Sequence, residues 1–194
     1  MTTLDLGPQA RIVARLADGV TEEQLGGATP CPGTAVHNML GHLLHLATAF
    51  RDAGRKDLGE TTDTPPTAAV PDIGPGWREE LPKALDELAE AWRDPAAWTG
   101  ETRAGGVPLP GAVAGLVAAD ELVIHGWDLA RATGQEYAPD EGALRAAYEF
   151  LLAAAAEDED RGGELFGPVV PVPDDAPLLD RAVGLSGRDP GWRG

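Results

Sequence analysis

The chain has 194 residues, 43% of them hydrophobic, and sets 32 Asp and Glu against 15 Lys and Arg for a formal net charge of −17. Nucleic-acid binders need clustered basic side chains to displace counterions from phosphates, and with two lysines (Lys56, Lys83) and scattered arginines the sequence argues against nucleic acid and against an anionic membrane surface. No apolar run reaches the roughly 18 residues of a membrane span, no basic and apolar leader opens the chain, and the lone Cys31 has no disulfide partner, so a cytoplasmic protein is expected.

The first helix is expected to begin near Pro8, a residue suited to a first turn, and to carry Ile12, Val13, Leu16 and Val20 as its stripe. Thr29-Pro30-Cys31-Pro32-Gly33 interrupts regular structure. From Thr34 to about Ala53 a second helix is apolar around most of its girth (Val36, Met39, Leu40, Leu43, Leu44, Leu46, Phe50), as a core helix is, with Thr34 as its N-cap. Residues 54–75, rich in Gly, Pro, Thr and Asp, read as a long surface crossover. Trp77 to Trp92 is the third helix, with Leu81, Leu85, Leu88 and Trp92 inward and Asp94-Pro95 as its stop. Trp98 to Gly111 is taken as a loop, and its Gly105-Gly106 is no phosphate loop, lacking a following Lys-Ser or Lys-Thr. The fourth helix runs from Ala112 to Thr133 and ends at Gly134, the fifth from Asp140 to about Glu157. After Glu157-Asp158-Glu159-Asp160 come short apolar anchors among Pro and Gly (Phe166, Val169, Val172, Leu179, Val183, Trp192), an ordered tail over the bundle. No stretch alternates long enough for a sheet. The expectation is an all-α protein, with residues 1–160 as the bundle and 161–194 as its tail.

The chemistry lies with the four histidines. Glu121 and His125, four apart on a helix, project from one face about one turn from each other. His42 sits among Met39, Leu40, Leu43 and Leu46, and an imidazole in such company needs a partner. A divalent cation on His42, Glu121 and His125 satisfies all three; a Glu–His hydrogen-bond network is the alternative. Two imidazoles and a carboxylate leave a position open for water or substrate and suit Zn²⁺ first, then Ni²⁺, Fe²⁺, Mn²⁺ or Co²⁺. His45, one turn from His42, is a fourth-ligand or proton-handling candidate. Asp128, three residues after His125, is a candidate to orient a ligand or water, against a salt bridge to Arg131 or Arg145. His37 is assigned to the surface, Cys31 to a structural turn and Trp127 to the core.

These motifs resemble a known family. Pro30-Cys31-Pro32-Gly33 followed by His42-Leu43, and the run from Glu121 to Gly134, are similar to the two motifs of the mycothiol-dependent maleylpyruvate isomerase metal-binding domain, of the DinB-like superfamily. Residues 166–177 and Gly187-Arg188-Asp189-Pro190-Gly191-Trp192 look like the C-terminal signature of one branch. The resemblance implies an up-down-down-up four-helix bundle with a long crossover, here with an extra helix, and a metal held by His42, Glu121 and His125. It implies mycothiol as cosubstrate, a small electrophile as substrate, and thiol transfer or isomerisation as the reaction, with a homodimer compatible with such bundles. Two departures are visible: Thr34 stands where relatives often carry tryptophan, and the chain is expected to be too short for the isomerase's separate C-terminal domain. A non-catalytic metal or small-ligand binder, and a bundle whose site has decayed, are the rival readings.

Overall fold

A computed structural model describes residues 3–65, 73–157 and 166–194. Residues 66–72 of the expected crossover, and 158–165, which include Asp158-Glu159-Asp160 and the start of the expected tail, lie outside the described residues. Among the described residues seven α-helices follow in order: α1 (Gly7–Asp18), α2 (Val36–Arg55), the short α3 (Glu60–Asp63), α4 (Trp77–Ala91), α5 (Gly111–Thr133), α6 (Glu141–Glu157) and α7 (Leu178–Leu185). Among the described residues no helix is long and apolar enough to cross a membrane.

α1, α2, α4 and α5 form the bundle. α1 and α2 each pack against both α4 and α5, which places α1 diagonal to α2 and makes α5 a shared wall. Their inward side chains build one core, including Val13, Leu40, Leu43, Leu81, Leu85, Leu88, Leu122 and Leu129, all out of contact with water. α6 lies on the outer side of α5 and α7 on α6. Between them a second core gathers Val123, Ile124, Trp127, Ala143, Ala147, Leu151, Ala182 and Val183. α5 therefore carries apolar residues nearly all round because it is buried on two sides.

Four expectations are corrected. The segment expected to be a loop after Trp98 contains an antiparallel hairpin, β1 (Glu101–Ala104) paired with β2 (Val107–Pro110). Its turn is Gly105-Gly106, with φ of 61° and 77°, the left-handed pair that a two-residue hairpin demands. Four-residue strands are too short to show alternation. In the tail, residues 178–185 are helical, and α7 buries Ala182 and Val183 against α6. α2 starts at Val36 with no capping side chain, so Thr34 is not its N-cap. Backbone carbonyls do that work instead: Val36 N–H donates to Gly27 O and His37 N–H to Leu25 O, both at 2.9 Å. His37 is half-buried, not a surface residue, because its Nδ1 also hydrogen-bonds the Leu25 carbonyl at 2.9 Å.

Candidate metal centre

α2 and α5 cross so that His42, Glu121 and His125 meet, each offering one ligand atom, all within 4.8 Å of one another. Glu121 Oε2 is the hub, 3.3 Å from His42 Nε2 and 3.0 Å from His125 Nε2. The two imidazole rings stand edge to face with centroids 4.6 Å apart. Ligands about 2.0–2.2 Å from a tetrahedral ion lie roughly 3.3 Å from each other, so the donor set and its spacing fit a divalent cation. His45 is half-buried and is not in this trio.

Burial is graded across the site. His42 and Glu121 keep 28% and 29% of their side-chain surface, His125 keeps 12%, and Asp128 keeps none. Burial alone would raise the Glu121 carboxyl, but hydrogen bonds from His125 and His42 outweigh it and hold the group well below the usual carboxylate range. Burial likewise opposes charge on His125, yet Asp128 and Glu121 overcome it and push the imidazole up to about 10. For His45, burial and then the neighbouring His42 both lower the imidazole's proton affinity. A cluster that keeps a proton between two imidazoles and two carboxylates is one in which a cation can take the proton's place.

Asp128 pairs with His125, three residues earlier on its own helix, and with a second partner that no local spacing reaches. Its Oδ2 accepts from His125 Nδ1 at 2.9 Å, so His125 turns Nε2 toward Glu121 and His42. That is the usual arrangement behind a metal-binding histidine. The expected salt bridge to Arg131 or Arg145 is replaced by Arg188, whose Nη2 and Nε lie 3.1 Å and 3.4 Å from the carboxylate oxygens. Arg131 instead donates to the Pro190 and Trp192 carbonyls, at 2.9 Å and 3.3 Å. Arg188 is the residue beside the cluster that sequence reasoning missed. Its one signal was its place in the Gly187-Arg188-Asp189-Pro190-Gly191-Trp192 motif. Cys31 is half-buried and packs against the bundle core, in keeping with a structural turn.

Residues 6–130 match the model of the mycothiol maleylpyruvate isomerase N-terminal domain, a span that runs from the start of α1 nearly to the end of α5 and holds all three candidate ligands. The chain belongs to this family. Proteins from two Mycobacterium tuberculosis strains (CDC 1551 / Oshkosh and ATCC 25618 / H37Rv), both described as uncharacterized, are 30% identical over 183 residues, 90% of this chain and 91% of theirs. Two crystal structures share the fold. A mutant of the mycothiol-dependent maleylpyruvate isomerase superposes with a TM-score of 0.59 at 17% identity, covering 97% of this chain and 92% of that one. A second structure of the isomerase gives 0.56 at 19%, covering 98% and 94%. The likeness thus extends over most of the isomerase chain, α6, α7 and the tail included.

Proposed function

We propose that this protein binds a divalent metal, Zn²⁺ first, through His42, Glu121 and His125, and uses it to activate a low-molecular-weight thiol of the mycothiol class toward a small electrophile. The observation that carries the reading is the convergence of three ligand atoms from two helices within 4.8 Å, backed by Asp128 on the far nitrogen of His125. Family membership supports the thiol and the isomerase class of reaction, since the domain is described as that of a mycothiol maleylpyruvate isomerase. Three protein ligands leave a position open, which is the catalytic pattern.

The ion would supply Lewis acidity, lowering the proton affinity of a thiol or water brought to it. The chain's own residues do the rest. Glu121 brings a negative charge that both imidazoles share, and Asp128 keeps Nδ1 of His125 occupied so that Nε2 faces the ligand position. His45, one turn along α2 and disfavoured from carrying charge, is the neutral ring we assign to take the thiol proton at a ring nitrogen. In an isomerisation the thiol adds to the electrophile and then leaves it, so it is regenerated; in a transfer it stays bonded to carbon.

The test is in two steps. Protein purified without chelators is expected to carry about one equivalent of metal, and metal-free preparations would remove the basis of the proposal. Conjugation or isomerisation of a small electrophile with mycothiol is then compared with and without Zn²⁺. Metal-dependent turnover is expected, whereas stoichiometric metal without turnover would make this a binder and not an enzyme.

A further inference from the structure

Asp128 is fully buried, and its carboxylate serves two partners, His125 on its own helix and Arg188 from the tail, 60 positions later. A carboxylate out of water needs compensating charge and hydrogen bonds. With a cation at Nε2 the His125 imidazole would be neutral and give it one hydrogen bond and no charge, leaving the guanidinium to supply the rest. Arg188 is itself aimed, because its Nη1 donates to the Ser186 carbonyl at 3.0 Å while Nη2 and Nε face Asp128.

The backbone that delivers Arg188 is built for the task. After α7 the chain passes through buried Ser186 to Gly187, whose φ of +85° is a left-handed conformation. A Cβ at Gly187 would stand 2.9 Å from the Gly167 Cα, so only glycine lets the tail close against that segment. Arg188 N–H then donates to the Val183 carbonyl at 3.1 Å. Beyond it the tail is caught again by Arg131. Arg188 on Asp128, and Arg131 on the Pro190 and Trp192 carbonyls, thus tie residues 188–192 to the same α5 that carries Glu121 and His125. Stability is a weak reason for such a pair, because replacing a buried ion pair by well-packed apolar residues is often neutral or stabilising.

We infer that the C-terminal tail is a working part of the metal centre, with Arg188 a positioning residue that acts through Asp128 to hold His125 in its ligating orientation. The inference rests on the metal-binding reading above and extends the site beyond the family-matched residues 6–130. Without Arg188, the Asp128 carboxylate loses its partner from the tail, is able to turn away, and no longer fixes His125.

The test compares full-length wild type with Arg188→Met, Arg188→Lys, Asp128→Asn and the Asp128→Asn/Arg188→Met double variant, each checked for helix content by circular dichroism. In chelator-competition titrations with Zn²⁺, Arg188→Met is expected to weaken affinity roughly 10–100-fold, the range for partners behind a metal-binding histidine. Arg188→Lys, which keeps the charge and folds if the methionine variant does not, should recover part of the loss. The double variant should be no weaker than the weaker single one, because both changes act along one path. Losses that multiply, or an Arg188→Met affinity within about twofold of wild type, overturn the inference. A second readout needs no metal: the Nδ1–H proton of His125, by NMR, should be protected from exchange in wild type and Arg188→Lys and exposed in Arg188→Met. If wild type takes up no Zn²⁺ the metal-binding reading fails, and this proton still decides the role of Arg188; equal protection in Arg188→Met overturns it.

Discussion

On α5, His125 has both ring nitrogens engaged, Nε2 with Glu121 at 3.0 Å and Nδ1 with Asp128 at 2.9 Å, and Asp128 is braced in turn by Arg188. On α2, His42 reaches the site through Nε2 alone, 3.3 Å from Glu121, and leaves more than twice as much of its side chain in solvent. The difference follows from where the helices sit. α5 is buried between two cores, with Leu122, Leu129 and Ala130 in one and Val123, Ile124 and Trp127 in the other, while His42 lies on the partly open edge of α2. The α5 side of the cluster is braced by its own helix and the tail. The α2 side is held by one side-chain hydrogen bond among the described residues. Preorganisation of this kind gives a ligand set its geometry without ordering it at the moment of binding.

The largest effect should come from the residue both sides share. Glu121→Gln keeps the shape and removes the charge between the two imidazoles, so Zn²⁺ affinity by chelator competition should fall by more than roughly 100-fold, beyond the range of an outer partner. A loss under about tenfold would take Glu121 out of the ligand set.

Next come the two histidines, which separate the sides. Both His42→Ala and His125→Ala are expected to lose the metal, with full occupancy in either removing that residue from the set. Their stabilities should differ. His42 is partly exposed and held by one hydrogen bond among the described residues, so its loss should shift unfolding by no more than about 0.5 kcal/mol. Removing His125 leaves buried Asp128 short of a donor, at a cost of about 1–3 kcal/mol. Denaturant unfolding of the two metal-free variants measures this, and equal stabilities would erase the proposed asymmetry.

A smaller perturbation tests the scaffold behind the α5 side. A Cβ at Gly126 would meet the Tyr137 hydroxyl at 2.9 Å, and that hydroxyl donates to the Val123 carbonyl and accepts from Gln9. Gly126→Ala should therefore cost about 1–3 kcal/mol by overpacking. It should also weaken Zn²⁺ binding, because the strain falls on the turn of α5 next to His125. Destabilisation with unchanged affinity would show that the site tolerates movement there.

What the sequence disclosed, and what it hid, follows the range of each interaction. The bundle helices announce themselves because Leu40, Leu43, Leu81, Leu85 and Leu88 repeat at helical spacing, and Glu121 and His125 lie on one face for the same local reason. Asp128 was within reach of the same rule. Arg188 was not, since no local spacing links it to a carboxylate 60 positions away. The cap of α2 was hidden because its donors are satisfied by the carbonyls of Leu25 and Gly27, which every residue type carries. The hairpin was hidden because four-residue strands, the second ending in proline, show no alternation, although Gly105-Gly106 marked its turn. α7 was masked by the Pro-rich segment that precedes it.

The smallest expected effect belongs to His45, and it settles what kind of centre this is. Spaced three residues from His42 on α2, it shares that helix face but stays outside the trio of converging ligand atoms. Burial and then His42 lower its proton affinity, which leaves a neutral ring that can accept a proton and does not require it to bind metal. His45→Ala should accordingly leave Zn²⁺ affinity within about twofold of wild type while slowing any thiol-dependent turnover. A loss of affinity as large as that of His42→Ala would instead make His45 a fourth protein ligand. A tetrahedral ion held that way would have no position left for a thiol, and the centre would be structural.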